Sequence, residues 1–395
     1  MVRTRRKGLV LWLLLACIAL ASCNLNGSSD ENGPSADLAS ELTSSYRVDI
    51  YDPARAWNGT TLTVDISDPT HPRFVEIDET GNIIYEYAPD IDEPIGSDIE
   101  PGPEEGQFMM LLKDRIRILD VKKEALGDVT AIQDIALPGR PSHDVDIDRQ
   151  RGTFLINYGS NDPDPWESND LYHVLELDKN GNEVWRWNAY EAGITEDVFT
   201  RYSTSGGYYH CNAVHRYYEN GEMRTMISIR NFNLFVVVDG SGMILEIYDC
   251  TRTGTEEPKW FEVANQVDPH DPHLLSDGQW LVCLQRTGAF DVAVVTESVT
   301  ESGTVEIGFT FPGITIVRDA DPLPNGNILC QALVKRNGID YSTLFEFDPE
   351  GTIVWQVINE KPVKKGPGYF YKVHRCPEGK GPSAYRTAAL IEAQY

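Results

Sequence analysis

From Tyr46 onward, apolar and polar residues alternate over short runs rich in Val, Ile, Tyr, Phe and Trp, and no stretch sustains the 3.6-residue period of a long helix. The runs are cut at short intervals by Asp-Gly, Asn-Gly and Pro, which punctuate strands rather than helices. The pattern predicts an all-β chain. One unit recurs: Val75 and Ile77 lead into Asp78 and Gly81, and Ile83 to Tyr85 follow. It returns around Asp178 and Gly181, Asp239 and Gly242, and Asp348 and Gly351. Each copy reads as a strand, a turn capped by the aspartate side chain with glycine at positive φ, and a second strand.

A degenerate copy at Leu119-Asp120 fills the gap between the first two units, and Val292 to Phe309 fills the gap between the last two without the turn motif. The period of about 40–60 residues is that of a four-stranded propeller blade, and counting predicts a six-bladed β-propeller over residues 45–395. Upstream of the hairpins lies a second repeated element, expected to be the innermost strand of its blade. It reads His143-Asp144-Val145, His210-Cys211-Asn212, His270-Asp271-Pro272-His273 and Arg318-Asp319-Ala320. Equivalent positions on innermost strands converge on the propeller axis, so His143, His210, His270 and Arg318 are expected to meet at one mouth of an axial channel. Arg230 follows His210 by one strand and is expected to return beside it.

The segment before Tyr46 is different. Arg3, Arg5, Arg6 and Lys7 precede the apolar run Leu9 to Leu20, too short for a permanent span, and Leu20-Ala21-Ser22-Cys23 follows. This predicts a lipoprotein signal peptide over 1–22 and lipidation of Cys23. Residues 23–44 lack the apolar content for a core and read as a flexible tether from membrane to propeller. The expected location is the cell envelope, on the periplasmic side of the outer membrane in a Gram-negative host and otherwise on the external face of the cytoplasmic membrane.

The whole chain carries a formal charge of −27, and loss of residues 1–22 would leave −31, which disfavours nucleic acid as a partner. Beyond Cys17 and Cys23 the cysteines are Cys211, Cys250, Cys283, Cys330 and Cys376, an odd set with no C-x-x-C pair. A complete disulfide framework and a zinc knuckle are therefore not expected, although Cys283 and Cys330 sit at nearly corresponding places in adjacent repeats, where they either pack or bridge.

Of the chain's eight histidines, three occupy one equivalent repeat position. His71, His173, His215 and His374 read as structural, and His273 carries no assignment. Three imidazoles could form a metal site, but the arginine among them opposes a cation and matches a tetrahedral oxyanion. No metal and no cofactor are therefore expected. Neutral imidazole is a competent nucleophile near neutral pH, and guanidinium would neutralise charge on the group transferred. The aromatics of Tyr202 to Tyr209 and Trp166 are candidates either to line the mouth or to fill interblade packing.

The His-x-Asn-x-Val segment at His210, the Ser228-Ile229-Arg230 segment, the His-Asp at His270 and the recurrent Asp-x-x-Gly unit resemble the bacterial aryl-sulfate sulfotransferase family, over roughly residues 60–358. The resemblance implies a six-bladed propeller that moves a sulfonyl group from an aryl sulfate to a phenol through a sulfohistidine, without phosphoadenosine phosphosulfate. It implies that His270 becomes sulfated, that His210 and Arg230 hold the sulfonyl oxygens, and that His143 binds sulfate and assists proton transfer. Asn212 and Arg318 are the candidate substrate-binding residues. The chain departs from the family in lacking a sizeable N-terminal β-domain, in the turn after His143, and in the cysteine that follows His210. Two other readings fit the residues: a non-catalytic binding propeller, and a metal-dependent hydrolase or lyase built on the three histidines.

Overall fold

A computed structural model describes residues 46–66, 73–88, 95–104, 106–121, 129–158, 172–203, 207–251, 267–275, 278–286, 289–295, 305–363 and 370–377. The expected signal peptide, the lipidation site Cys23, the tether, His71 and Trp166 lie outside the described residues. None of the described helices is long and apolar enough to cross a membrane.

Beyond one 3-10 turn at Arg230–Phe232, the described secondary structure is all strand. The chain opens with β1 (Tyr46–Tyr51), β2 (Gly59–Asp65), β3 (Arg73–Ile77) and β4 (Ile83–Tyr87). The next four strands are β5 (Ile95–Pro101), β6 (Gln107–Leu112), β7 (Arg115–Val121) and β8 (Val129–Ala136), followed by β9 (Val145–Asp148), β10 (Thr153–Asn157), β11 (Val174–Leu177) and β12 (Glu183–Trp187). Then come β13 (Cys211–Glu219), β14 (Glu222–Ile229), β15 (Leu234–Asp239) and β16 (Ile244–Asp249), and β17 (Pro269–Leu274), β18 (Trp280–Arg286), β19 (Ala289–Val295) and β20 (Val305–Thr310). The last strands are β21 (Ile314–Pro322), β22 (Ile328–Arg336), β23 (Ile339–Phe347), β24 (Ile353–Pro362) and β25 (Phe370–Pro377).

β5 to β8, β9 to β12, β13 to β16 and β17 to β20 each pair antiparallel in chain order, and β25 returns to pair with β2 as the first strand of a sheet with β3 and β4. The result is a β-propeller with five four-stranded blades. The remaining sheet departs from the expected four strands, because β1 adds to the outer edge of β21 to β24. The first strands of the sheets lie side by side around the axis in the order β5, β9, β13, β17, β21, β25, with β25 again beside β5.

The predicted turns form as their residues require. Asp78 Oδ1 accepts the backbone N–H of Thr80 and Asn82 at 2.9 and 2.8 Å, and Asp178, Asp239 and Asp348 cap their turns in the same way. The glycine three residues on takes φ from +79° to +89° at all four turns, where an L side chain is strained.

Between turns, alternate side chains fill the gaps from sheet to sheet. Leu155, Trp187, Val214, Ile227, Val236 and Val238 close one such gap, and Phe235, Tyr248 and Trp280 close the next. At roughly 1.5–3 kcal/mol per fully buried large apolar side chain, these interblade layers are what hold the ring together. Cys211, Cys250, Cys283, Cys330 and Cys376 are buried free thiols, so Cys283 and Cys330 pack rather than bridge.

Candidate active site

The innermost strands bring the sequence-predicted residues into one cluster. His143 precedes β9 and His210 precedes β13, and their Nε2 atoms stand 3.3 Å apart. Asn157 Oδ1 accepts the N–H of both His143 and Asp144, which fixes the backbone that carries the first ring. Arg230 returns beside His210 as the sequence suggested, its N–H donating to the His210 carbonyl at 3.3 Å. It sits in the 3-10 turn after β14, and its Nη2 contacts Asp268 Oδ2 at 2.8 Å.

His270 is 4 % exposed, and its Nδ1 stands 2.7 Å from the carbonyl oxygen of Asp268. A carbonyl only accepts, so Nδ1 carries the proton and Nε2 the lone pair of the neutral ring. Burial first, then the charges of Arg318 and Arg230, hold the imidazole well below the ordinary histidine range; the Asp268 carbonyl opposes this only in part. His143 is displaced downward by burial and by His210, Arg318, Arg230 and Lys372. At neutral pH both rings are therefore neutral, beside two permanent guanidinium charges.

Backbone strain collects at the same place. His210, Asp268 and Asp271 adopt φ of +53°, +37° and +50°, a region that non-glycine residues seldom enter and that costs of order 1–3 kcal/mol each. Asn233, itself at +56°, holds the Asp268 turn by accepting the N–H of Val267 and Asp268, both at 3.2 Å. In β17, Asp271 and Pro272 form a bulge between His270, opposite Cys283, and His273, opposite Leu281.

Arg318 reaches Gln285 through Nε at 3.4 Å and remains part of the cationic cluster. Asn212 is 3 % exposed; its amide donates to the Pro269 carbonyl at 3.0 Å, bracing β13 against the strand that carries His270, while its Oδ1 meets no hydrogen-bond donor among the described residues. Cys211 is buried in the apolar layer between blades, the packed alternative. Of the aromatics at Tyr202 to Tyr209, Tyr209 is fully buried against His173 and Phe232, which is interblade packing.

Beneath this cluster runs a layer that sequence reasoning missed. Lys372 of β25 contacts Asp271 at 2.5 Å, Asp144 at 3.0 Å and Asp319 at 3.5 Å, so one buried ammonium joins three inner strands. The aspartates also staple neighbours: Asp98 accepts from Val145 N–H, Asp144 from Val214 and Asp319 from Val373, at 2.6–2.7 Å.

A chain of carboxylates and imidazoles follows. Glu100 meets His374 at 3.1 Å, His374 meets Asp321 at 2.9 Å, and Asp321 meets His273 at 3.2 Å. His273 meets Asp271 at 2.8 Å and Asp271 meets His215 at 3.3 Å. His215 and His374 are thus ion-paired structural residues, His273 lies within hydrogen-bond distance of Asp271 and Asp321, and His173 accepts the Ala189 N–H within its blade. The available signal was the polar–Val–polar spacing of Asp144 to Asp146, which Lys372 to His374 repeats and Asp98 to Glu100 echoes with isoleucine.

No family model and no curated protein matches the sequence. Solved structures do resemble the fold. A protein of unknown function from Bacteroides caccae aligns at a TM-score of 0.50 and 13% identity, over 80% of this chain and 98% of its own. A protein from Lactobacillus plantarum aligns at 0.46 and 11% identity, over 81% and 100% of the two chains. A provisionally assigned 6-phosphogluconolactonase from Bacteroides uniformis aligns at 0.42 and 12% identity, over 76% and 82%. At such identities the likeness concerns the propeller fold alone.

Proposed function

We propose that this chain is a six-bladed propeller, the five-stranded sheet being the sixth blade with β1 as an added edge, and that it transfers sulfonyl groups from aryl sulfates to phenols through His270. One observation carries the reading: His270 is a buried neutral imidazole whose Nδ1 proton is committed to a backbone carbonyl, beside Arg230 and Arg318. That is the protonation state a nitrogen nucleophile needs, next to the charges an anionic donor needs.

In the first half-reaction Nε2 of His270 attacks sulfur. The N–S bond forms as the S–O bond to the ring breaks, and the departing phenolate takes a proton from the imidazolium form of His210, leaving that ring neutral. An incoming phenol then gives its proton to neutral His210 as its oxygen attacks sulfur, and the N–S bond breaks to restore neutral His270. Arg230 and Arg318 offset the charge of the sulfonyl oxygens throughout. No diffusible cofactor takes part. The protein acts in the cell envelope, anchored by lipid at Cys23.

The test is release of a chromogenic phenol from an aryl sulfate, with and without a phenolic acceptor, by the wild type and by His270→Ala. Acceptor-dependent release that vanishes in the variant is the expected result. Absence of release by the wild type with a panel of aryl sulfates would overturn the proposal in favour of a ligand-binding propeller.

A further inference from the structure

Seven carboxylates line the axis beneath the histidine cluster, namely Asp98, Glu100, Asp144, Asp146, Asp271, Asp319 and Asp321, and all are buried. They face Lys372, His215, His273 and His374, which they outnumber, and burial with the neighbouring carboxylates pushes the Asp98 and Asp319 carboxyls well above the usual carboxylate range. The lysine spends itself on Asp144, Asp271 and Asp319 and makes no ion pair with Asp98, the remaining aspartate of that layer.

Asp98 is fully buried. One of its oxygens accepts the Val145 N–H, and the other, Oδ1, meets no hydrogen-bond donor among the described residues. Such a charge costs several kcal/mol unless a proton or a cation joins it. Ligand atoms of Asp98, Glu100 and His374 all lie within 4.8 Å of one another. His374 Nε2 and Glu100 Oε1 are 3.1 Å apart, close to the roughly 3.4 Å edge of a tetrahedral site with bonds of about 2.1 Å. Nδ1 of His374 is held by Asp321 at 2.9 Å, the carboxylate support that fixes the orientation of metal-binding histidines.

We propose that Asp98, Glu100 and His374 form a buried site for a divalent transition-metal ion, at the seam where β25 meets β5. One imidazole and two carboxylates form a mixed set suited to Zn²⁺ or Mn²⁺. Because the ligands come from the two inner strands that flank this seam, the ion would clamp the closed ring. The site shares no residue with the histidine cluster and does not depend on the chemistry proposed there.

The full-length protein, dialysed against chelator and then against Zn²⁺ or Mn²⁺, is assayed for bound metal and for its thermal midpoint. The expected result is one equivalent of tightly held metal and a raised midpoint. Asp98→Asn, which keeps an acceptor for the Val145 N–H, and Glu100→Gln should each weaken binding at least tenfold. Failure of the wild type to retain metal, or to gain stability from it, would overturn the site and assign Oδ1 of Asp98 a proton. Equal uptake by wild type and both variants would also overturn it, as adventitious binding to an acidic surface.

Discussion

The axial imidazoles make a specific demand on pH. His215 lies with Nε2 3.3 Å from Asp271 and Nδ1 3.8 Å from Asp146, and these carboxylates, with Asp144, outweigh burial and raise its pKa to about 10. An unfolded histidine titrates near 6.5. Between these values the folded chain holds a proton that the unfolded chain has lost, so stability is fully present below about pH 6.5 and declines as pH rises towards 10. One such proton is worth about 1.4 kcal/mol per pH unit, and the whole window on the order of 5 kcal/mol. His374, raised by Glu100 and Asp321, adds to the same slope. Denaturant titrations between pH 6.5 and 9.5, in chelator so that metal does not intervene, should show a falling midpoint at constant m-value. His215→Gln should be less stable at pH 6.5 and should lose about one proton's worth of slope. A stability that stays flat or rises over this range, or an unchanged slope in the variant, would refute the assignment of a buried imidazolium.

Arg230→Lys keeps the charge but loses the planar fork, and should reduce turnover of aryl sulfates roughly 10²-fold with the fold intact by circular dichroism; wild-type turnover would remove the guanidinium from the site. Gly351→Ala places a methyl 2.9 Å from a ring carbon of Phe309 at a φ of +81° and should cost about 1–3 kcal/mol in denaturant unfolding. The same change at Gly221, with no atom within 4 Å of the added methyl, should cost only the strain of its positive φ.

Much of this architecture was written locally. The Asp-x-x-Gly turns are fixed by side chain-to-backbone bonds within five residues, so a single sequence exposes them at Asp78, Asp178, Asp239 and Asp348. The inner-strand histidines were legible because repetition put His143, His210 and His270 at one structural position. What stayed hidden has long-range causes. The pairing of β25 with β2 joins residues more than three hundred positions apart, and nothing in Lys372 itself says that three aspartates from other blades await it. The axial role of His374 depends on Glu100 and Asp321, which only the closed ring brings to it. The contact of Asn212 with the Pro269 carbonyl was hidden for a related reason, since Pro269 belongs to the next sheet.

The position of Lys372 gives the order of synthesis a physical meaning. The carboxylates of Asp144 and Asp271 are in place long before the ribosome reaches β25, and until then the emerging chain has no ammonium for them. Half-made propeller is thus electrostatically discouraged from settling into its final packing, and the strand made last among those described both zips the ring to β2 and neutralises its axle. Cutting the chain before Phe370 would therefore remove more than a strand. It would leave Asp144 and Asp319 without their ammonium partner, while Asp271 would keep only His215 and His273.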